Sequence, residues 1–227
     1  MHTRASLLLC CLLLALAEAR GQLIALPEPP PLTQAGHSLI VEFETGGKAD
    51  YDRWPRPEWP QGASGVTVGI GYDCGYNSKE VIWNDWSDLE HPNAARLAAT
   101  SGIRGAQAKP LAKDLADILI QWSLAMGVFD RVTVTRFWRL ARQTYPGFDD
   151  LRPNAQAALV SLTFNRGSDM VGDRRYEMRQ IRSCAARRDY EGMASWNRRS
   201  IRVWKGTSIY EGMVRRREAE SALILTP

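Results

Sequence analysis

Val66-Thr67-Val68-Gly69-Ile70-Gly71-Tyr72 alternates large apolar residues with small ones. That period of two predicts a strand with Val66, Val68, Ile70 and Tyr72 on one face and Thr67, Gly69 and Gly71 on the other. The first is a core face. The second offers a hydroxyl and two positions without side chains, and glycine inside a strand often marks the close approach of a ligand or another backbone. Upstream, residues 48–65 are rich in Pro, Trp, Gly and Asp and read as an irregular excursion, which with the strand forms an irregular hairpin. Before that, residues 37–45 have helical spacing (Leu39, Ile40, Phe43), and Gly46-Gly47 supply a stop. Glu44 therefore falls in a last helical turn, where the helix dipole does not favour a carboxylate and some other partner is expected.

Downstream the pattern turns helical. Leu111, Leu115, Ile118, Leu119 and Trp122 form one apolar stripe at helical spacing. Ala155, Ala158, Leu159 and Leu162 form another, with Pro153 near its start and Gly167 just past its end. A last helix is expected from about Gly212 to Leu223, and no internal repeat occurs. The fold expected is α+β and mostly helical, with a small β-hairpin or sheet lobe and a helical C-terminal lobe.

The chain has 227 residues, 44% hydrophobic and 24% charged, enough for a real core and unlike a disordered chain. Residues 1–19 have the layout of a secretory signal: His2 and Arg4, an apolar run from Leu7 to Ala17 broken only by Cys10 and Cys11, then Ala17-Glu18-Ala19. That run is short for a membrane span. The expectation is a secreted or periplasmic protein that begins near Arg20 and has no stable membrane insertion after cleavage. Residues 20–35, with Pro27-Glu28-Pro29-Pro30-Pro31, read as an extended spacer before a domain at 36–227. Cys74 and Cys184 then remain, either as one disulfide or as two buried thiols. His37 and His91 lie at no zinc-like spacing, and no cofactor or metal is implied. The net charge of +4 is uneven: basic residues dominate from residue 131 onward and acidic ones before it. A basic face suits an anionic polymer, whether nucleic acid, membrane surface or cell wall.

Hydrolysis of a glycosidic bond needs one carboxylic acid to protonate the leaving oxygen and a second group to stabilise the cation or activate water. Glu44, Thr67 and a nearby Asp are residue types that can do this. Isolated Glu and Thr are more often solvated or structural. Four segments in order change the balance. Phe43-Glu44-Thr45-Gly46-Gly47, Thr67 to Tyr72, Asn154 to Gly167 (ending Phe164-Asn165-Arg166-Gly167) and Gly212 to Glu220 together resemble the phage-type lysozymes, over about residues 36–225.

The resemblance implies a lysozyme-like fold and cleavage of the β-1,4 bond between N-acetylmuramic acid and N-acetylglucosamine. Glu44 matches the general acid and Thr67 the residue that positions water. Asn165 matches a cleft position that bonds substrate amides, and Arg216 or Arg217 approaches Glu44. The departure is the aspartate: nine residues after Glu44 stands Arg53. Asp73 is preferred as its replacement because a strand sets its direction. Asp52 is the alternative and Asp50 a poorer third, while Asp73 as a cap on the turn at Gly75 is the structural reading. Among the tryptophans, Trp59 or Trp54 is the candidate sugar platform, and Trp83 and Trp86 read as core.

The expected partners are peptidoglycan glycan strands, not nucleic acid, and the expected state is a monomer. Two other readings stay open: a lytic transglycosylase, which needs no second carboxylate, and an inactive wall-binding domain. Serine-hydrolase chemistry is excluded for want of a Gly-x-Ser-x-Gly elbow.

Overall fold

The computed structural model describes residues 32–227, so the signal-like segment and nearly all of the Pro-rich spacer lie outside the described residues. The described residues are mostly helical, with one small antiparallel sheet among them. In order come α1 (Gln34–Thr45), α2 (Lys48–Tyr51), β1 (Thr67–Val68), β2 (Tyr72–Asp73), α3 (Lys79–Asp85), α4 (His91–Ala98), α5 (Ala108–Asp114) and α6 (Trp122–Val128). They are followed by α7 (Thr135–Thr144), α8 (Pro153–Arg166), α9 (Tyr176–Ala185), α10 (Tyr190–Arg199) and α11 (Tyr210–Leu225). No helix among the described residues is long and apolar enough to cross a membrane.

α8 is the axis. Pro153 opens it and Gly167 ends it at φ +70°, both as the sequence signals indicate. Its residues Ala155, Ala157 to Thr163 and Arg166 are buried, so it is enclosed on nearly every side, and α1, α7 and α11 pack against it. The tightest approach is at Gly36 of α1, where a Cβ would stand 2.2 Å from Ala157 Cβ. α1 begins at Gln34, just upstream of the expected domain start, because Thr33 caps it by accepting from the Gly36 N–H. It ends at Gly46, in the left-handed conformation, as expected.

Two expectations need correction. Residues 66–72 do not form one strand: β1 and β2 pair antiparallel as a hairpin, Thr67 opposite Asp73 and Val68 opposite Tyr72. Gly69 and Gly71, both at positive φ, make the reversal that larger residues would strain. The burial alternation survives the turn, with Val66, Val68, Ile70 and Tyr72 all in the core. The stripe from Leu111 to Trp122 is likewise not one helix. α5 stops at Asp114, a turn carries Leu115 and Ile118 inward while Leu119 stays 55% exposed, and α6 restarts at Trp122. Helical spacing in sequence persists across such a break because each half buries its own apolar residues.

Cys74 and Cys184 are separate free thiols, both buried. Burial pushes the Cys74 thiol up to about 12. Since the α1–α8 contact leaves no room at Gly36, Gly36→Ala should lower stability by about 1–3 kcal/mol. The drop is read as a reduced melting temperature in a thermal scan.

Candidate functional site

Glu44 lies in the last turn of α1, where its own helix dipole disfavours a negative charge. The compensation comes from α11. Arg216 Nη1 donates to Glu44 Oε1 at 2.6 Å; the Arg216 side chain is 2% exposed and that of Glu44 21%. Arg216 is locked from behind. Its Nε donates to Glu220 Oε1 at 3.2 Å, and its Nη2 reaches the carbonyl and hydroxyl oxygens of Ser161 on α8. Its guanidinium also lies over the Phe43 ring at 5.7 Å.

Glu220, with no exposure, is the hub. It accepts from Arg216, from Arg217 Nη2 at 2.8 Å, from Ser161 Oγ at 2.7 Å and from Asn197 Nδ2 at 3.2 Å. Burial pulls Arg217 below the ordinary guanidinium value, and the Glu220 charge opposes that shift. Arg217 Nη2 also reaches Asn165 Oδ1 at 3.4 Å. Of the residues singled out in sequence, Glu44, Arg216, Arg217 and Asn165 thus belong to one connected cluster spanning α1, α8 and α11. They hold one partly exposed carboxyl at its rim.

The hairpin forms the second part. Its tip meets α8 next to Asn165: a Cβ at Gly71 would stand 3.2 Å from Phe164 Cζ. Asp73 is occupied. Its Oδ1 accepts from Gly75 N at 2.8 Å and both oxygens accept from Gly65 N, at 3.0 and 3.1 Å, so it acts as the turn cap. Burial raises its pKa, against the lowering effect of those N–H groups and of Arg104. Asp73 also faces, with Val132, Arg136 and Phe137, a hollow of about 450 Å³ beside the hairpin.

Asp52 is bonded to Lys48 and Asp50 to Arg53 on the exposed rim of α2. Trp59 is partly buried against the core and donates its indole N–H to the Ser64 carbonyl at 3.1 Å, which fastens the loop. Trp54 is the exposed ring, at 59%, with Arg56 stacked over it.

One residue escapes the sequence reading. Glu58, in the irregular excursion, pairs with Thr67 on the edge of β1 away from β2: Glu58 N donates to Thr67 O at 2.9 Å and Thr67 N to Glu58 O at 2.8 Å. Directly opposed residues in antiparallel pairing share a face. Glu58, Thr67 and Asp73 therefore form a row across one side of the sheet, with Glu58 the exposed member. No periodicity marks Glu58, since a Pro-Trp loop carries none. Only its hydrogen-bonded register reveals it.

Two outcomes follow. Glu220→Gln removes the buried charge that answers both Arg216 and Arg217, and should cost about 3–5 kcal/mol, measured by urea unfolding. At Asp73 the folded chain holds a proton that the unfolded chain has already released, so stability should fall as pH rises from the usual carboxylate range to the raised native value. Asp73→Asn should flatten that slope in unfolding curves taken across this range. No protein-family model and no curated protein sequence matches the chain.

Proposed function

We propose that this protein is an exported lysozyme of lysozyme-like fold, hydrolysing the β-1,4 bond between N-acetylmuramic acid and N-acetylglucosamine in peptidoglycan. The observation that carries the reading is the Arg216–Glu44 contact: a buried arginine, itself anchored by Glu220 and Ser161, holds a carboxyl that stays partly open to solvent. A purely structural tie between α1 and α11 has no need of that exposure, or of a carboxyl at the unfavourable end of a helix dipole.

In the reaction, Glu44 gives its proton to the oxygen that leaves with the N-acetylglucosamine unit as the glycosidic bond breaks. Positive charge develops on the muramic anomeric carbon. Water completes the exchange: its oxygen bonds to that carbon, and its proton is taken up by a carboxylate. Thr67 positions the water from its place in the sheet row. Asn165, braced by Arg217, bonds a substrate amide, while Trp54 offers an open aromatic face to a sugar. For the second carboxylate, Glu58 is better placed than the aspartates. It is exposed beside Thr67, whereas the Asp73 oxygens accept backbone N–H groups and Asp52 pairs with Lys48.

The engagement of Asp73 also favours a second reading, a lytic transglycosylase, in which the muramic hydroxyl replaces water and Glu44 is the sole acid. Glu44→Gln, folded by its melting curve, should lose ~10²- to 10⁴-fold of wall-clearing activity; full activity would refute the assignment. Reducing muramic ends among the released fragments establish hydrolysis, and anhydro ends establish transglycosylation. Under hydrolysis Glu58→Gln should lose far more activity than Asp52→Asn.

A further inference from the structure

The segment between α8 and α9 holds an aliphatic side chain out from the surface. Met170 packs inward against the core, while its neighbour Val171 is 80% exposed. Arg179 of α9 fastens the backbone on both sides of that tip: its Nη1 donates to the Met170 carbonyl at 2.7 Å and to the Gly172 carbonyl at 2.9 Å. Asp169 Oδ1 accepts the Val171 N–H at 2.9 Å. With the flanking carbonyls and its own N–H all engaged, Val171 is held where it is.

A single exposed apolar residue is ordinary; the surroundings of this one are not. Tyr176, also exposed, meets Trp196 of α10 edge-on at 5.7 Å. Arg179 lies over the Tyr176 ring at 5.8 Å and Arg199 over the Trp196 ring at 4.6 Å, so cations flank the aromatic pair. Val171 also lines one hollow with Arg174, Arg175 and Trp204, and Arg174 Nη1 ties this wall to the Val203 carbonyl at 3.1 Å. Arg174, Arg179, Arg199 and Lys205 are exposed. The acids beside them do not balance that charge: Asp173 and Glu177 both pair with Arg202, which leaves Asp169. The tip therefore stands among cations and aromatic rings on one continuous face.

We propose that this face docks on an anionic phospholipid membrane, with Val171 entering the boundary between headgroups and acyl chains. Tyr176 and Trp196 lie at headgroup depth, where rings with one polar edge are favoured, and the exposed arginines meet lipid phosphates. Charge alone fits any polyanion, nucleic acid included. The aliphatic tip decides for the bilayer, because a polyanionic chain has no apolar phase to receive it. Interfacial binding combines buried apolar area with attraction to anionic lipid, and this face offers both. The contact is peripheral, since no helix among the described residues is long and apolar enough to cross a membrane. None of these side chains is bonded to Glu44, Glu58 or Thr67, so the proposal does not rest on the hydrolase reading.

The test is co-sedimentation of the full chain with vesicles of equal parts phosphatidylglycerol and phosphatidylcholine. Each variant is read against the parent, so any attraction of the N-terminal segment to lipid cancels. Val171→Asn should weaken vesicle binding about 10-fold, the scale of burying one aliphatic side chain, and Val171→Leu should keep it. Arg174→Gln and Arg199→Gln should each lose about 5-fold, the scale of one cation at an anionic membrane, and should bind pure phosphatidylcholine vesicles as the parent does. Val171 is a surface side chain, so its variants keep the fold, which a melting curve verifies. Parent-like vesicle binding by Val171→Asn would overturn the proposal. If the arginine variants alone weakened binding, and weakened capture of soluble polyphosphate equally, the face would be a plain polyanion site and not a membrane one.

Discussion

Glu220 sits at zero exposure between two arginines that are themselves almost fully enclosed, and the arrangement of α1, α8, α10 and α11 follows from satisfying it. A lone buried charge of this kind would cost several kcal/mol in desolvation. Here Glu220 and Glu44 answer the two arginines, and Ser161 and Asn197 add hydrogen bonds to Glu220, while Arg217 Nε and Nη1 and Asn197 Oδ1 keep no partner. Such a cluster is a poor source of net stability against an apolar core of the same shape. What it provides is a fixed direction for one carboxyl at its edge. Glu44 cannot swing away without leaving a buried guanidinium short of a partner.

The hairpin solves a different problem. A sheet of two very short strands has little stability of its own. Its inward residues, Val66, Val68, Ile70 and Tyr72, secure it by entering the common core, and Trp86 closes on the turn at Gly69. Asp73 staples the base by taking the N–H groups of Gly65 and Gly75. With the inner face anchored in this way, the outer row of Glu58, Thr67 and Asp73 is presented on a rigid frame. Rigid frames position reacting groups better than free loops do.

The basic excess of the C-terminal half has two fates in the fold. Arg198 and Arg142 meet carboxylates at the surface, where such pairs contribute little. Arg166 and Arg217 are drawn inward around Trp204 and keep unpartnered donors. Composition reports the same charge in both cases, but only burial separates solvated arginines from those held in a low-dielectric wall.

Local chemistry in the sequence by itself determined the C-terminal end of α1 and both ends of α8, through Gly46, Pro153 and Gly167, and the inward set from Val66 to Tyr72. It also put Glu44 in a last helical turn, because glycine conformation and side-chain period act within a few residues. It did not determine where the alternating stretch reverses, or that the apolar stripe before Trp122 breaks, since both patterns read the same on either side of a turn. The tertiary structure decided the rest. Arg216 meets Glu44 across 172 residues of chain, and Glu58 meets Thr67 through backbone hydrogen bonds that no pattern in a Pro-rich loop encodes. A strand's direction favours Asp73 over a loop carboxylate, and Asp73 does lie opposite Thr67, but the Gly65 and Gly75 N–H groups occupy its side chain, a contact that exists only once the hairpin is closed.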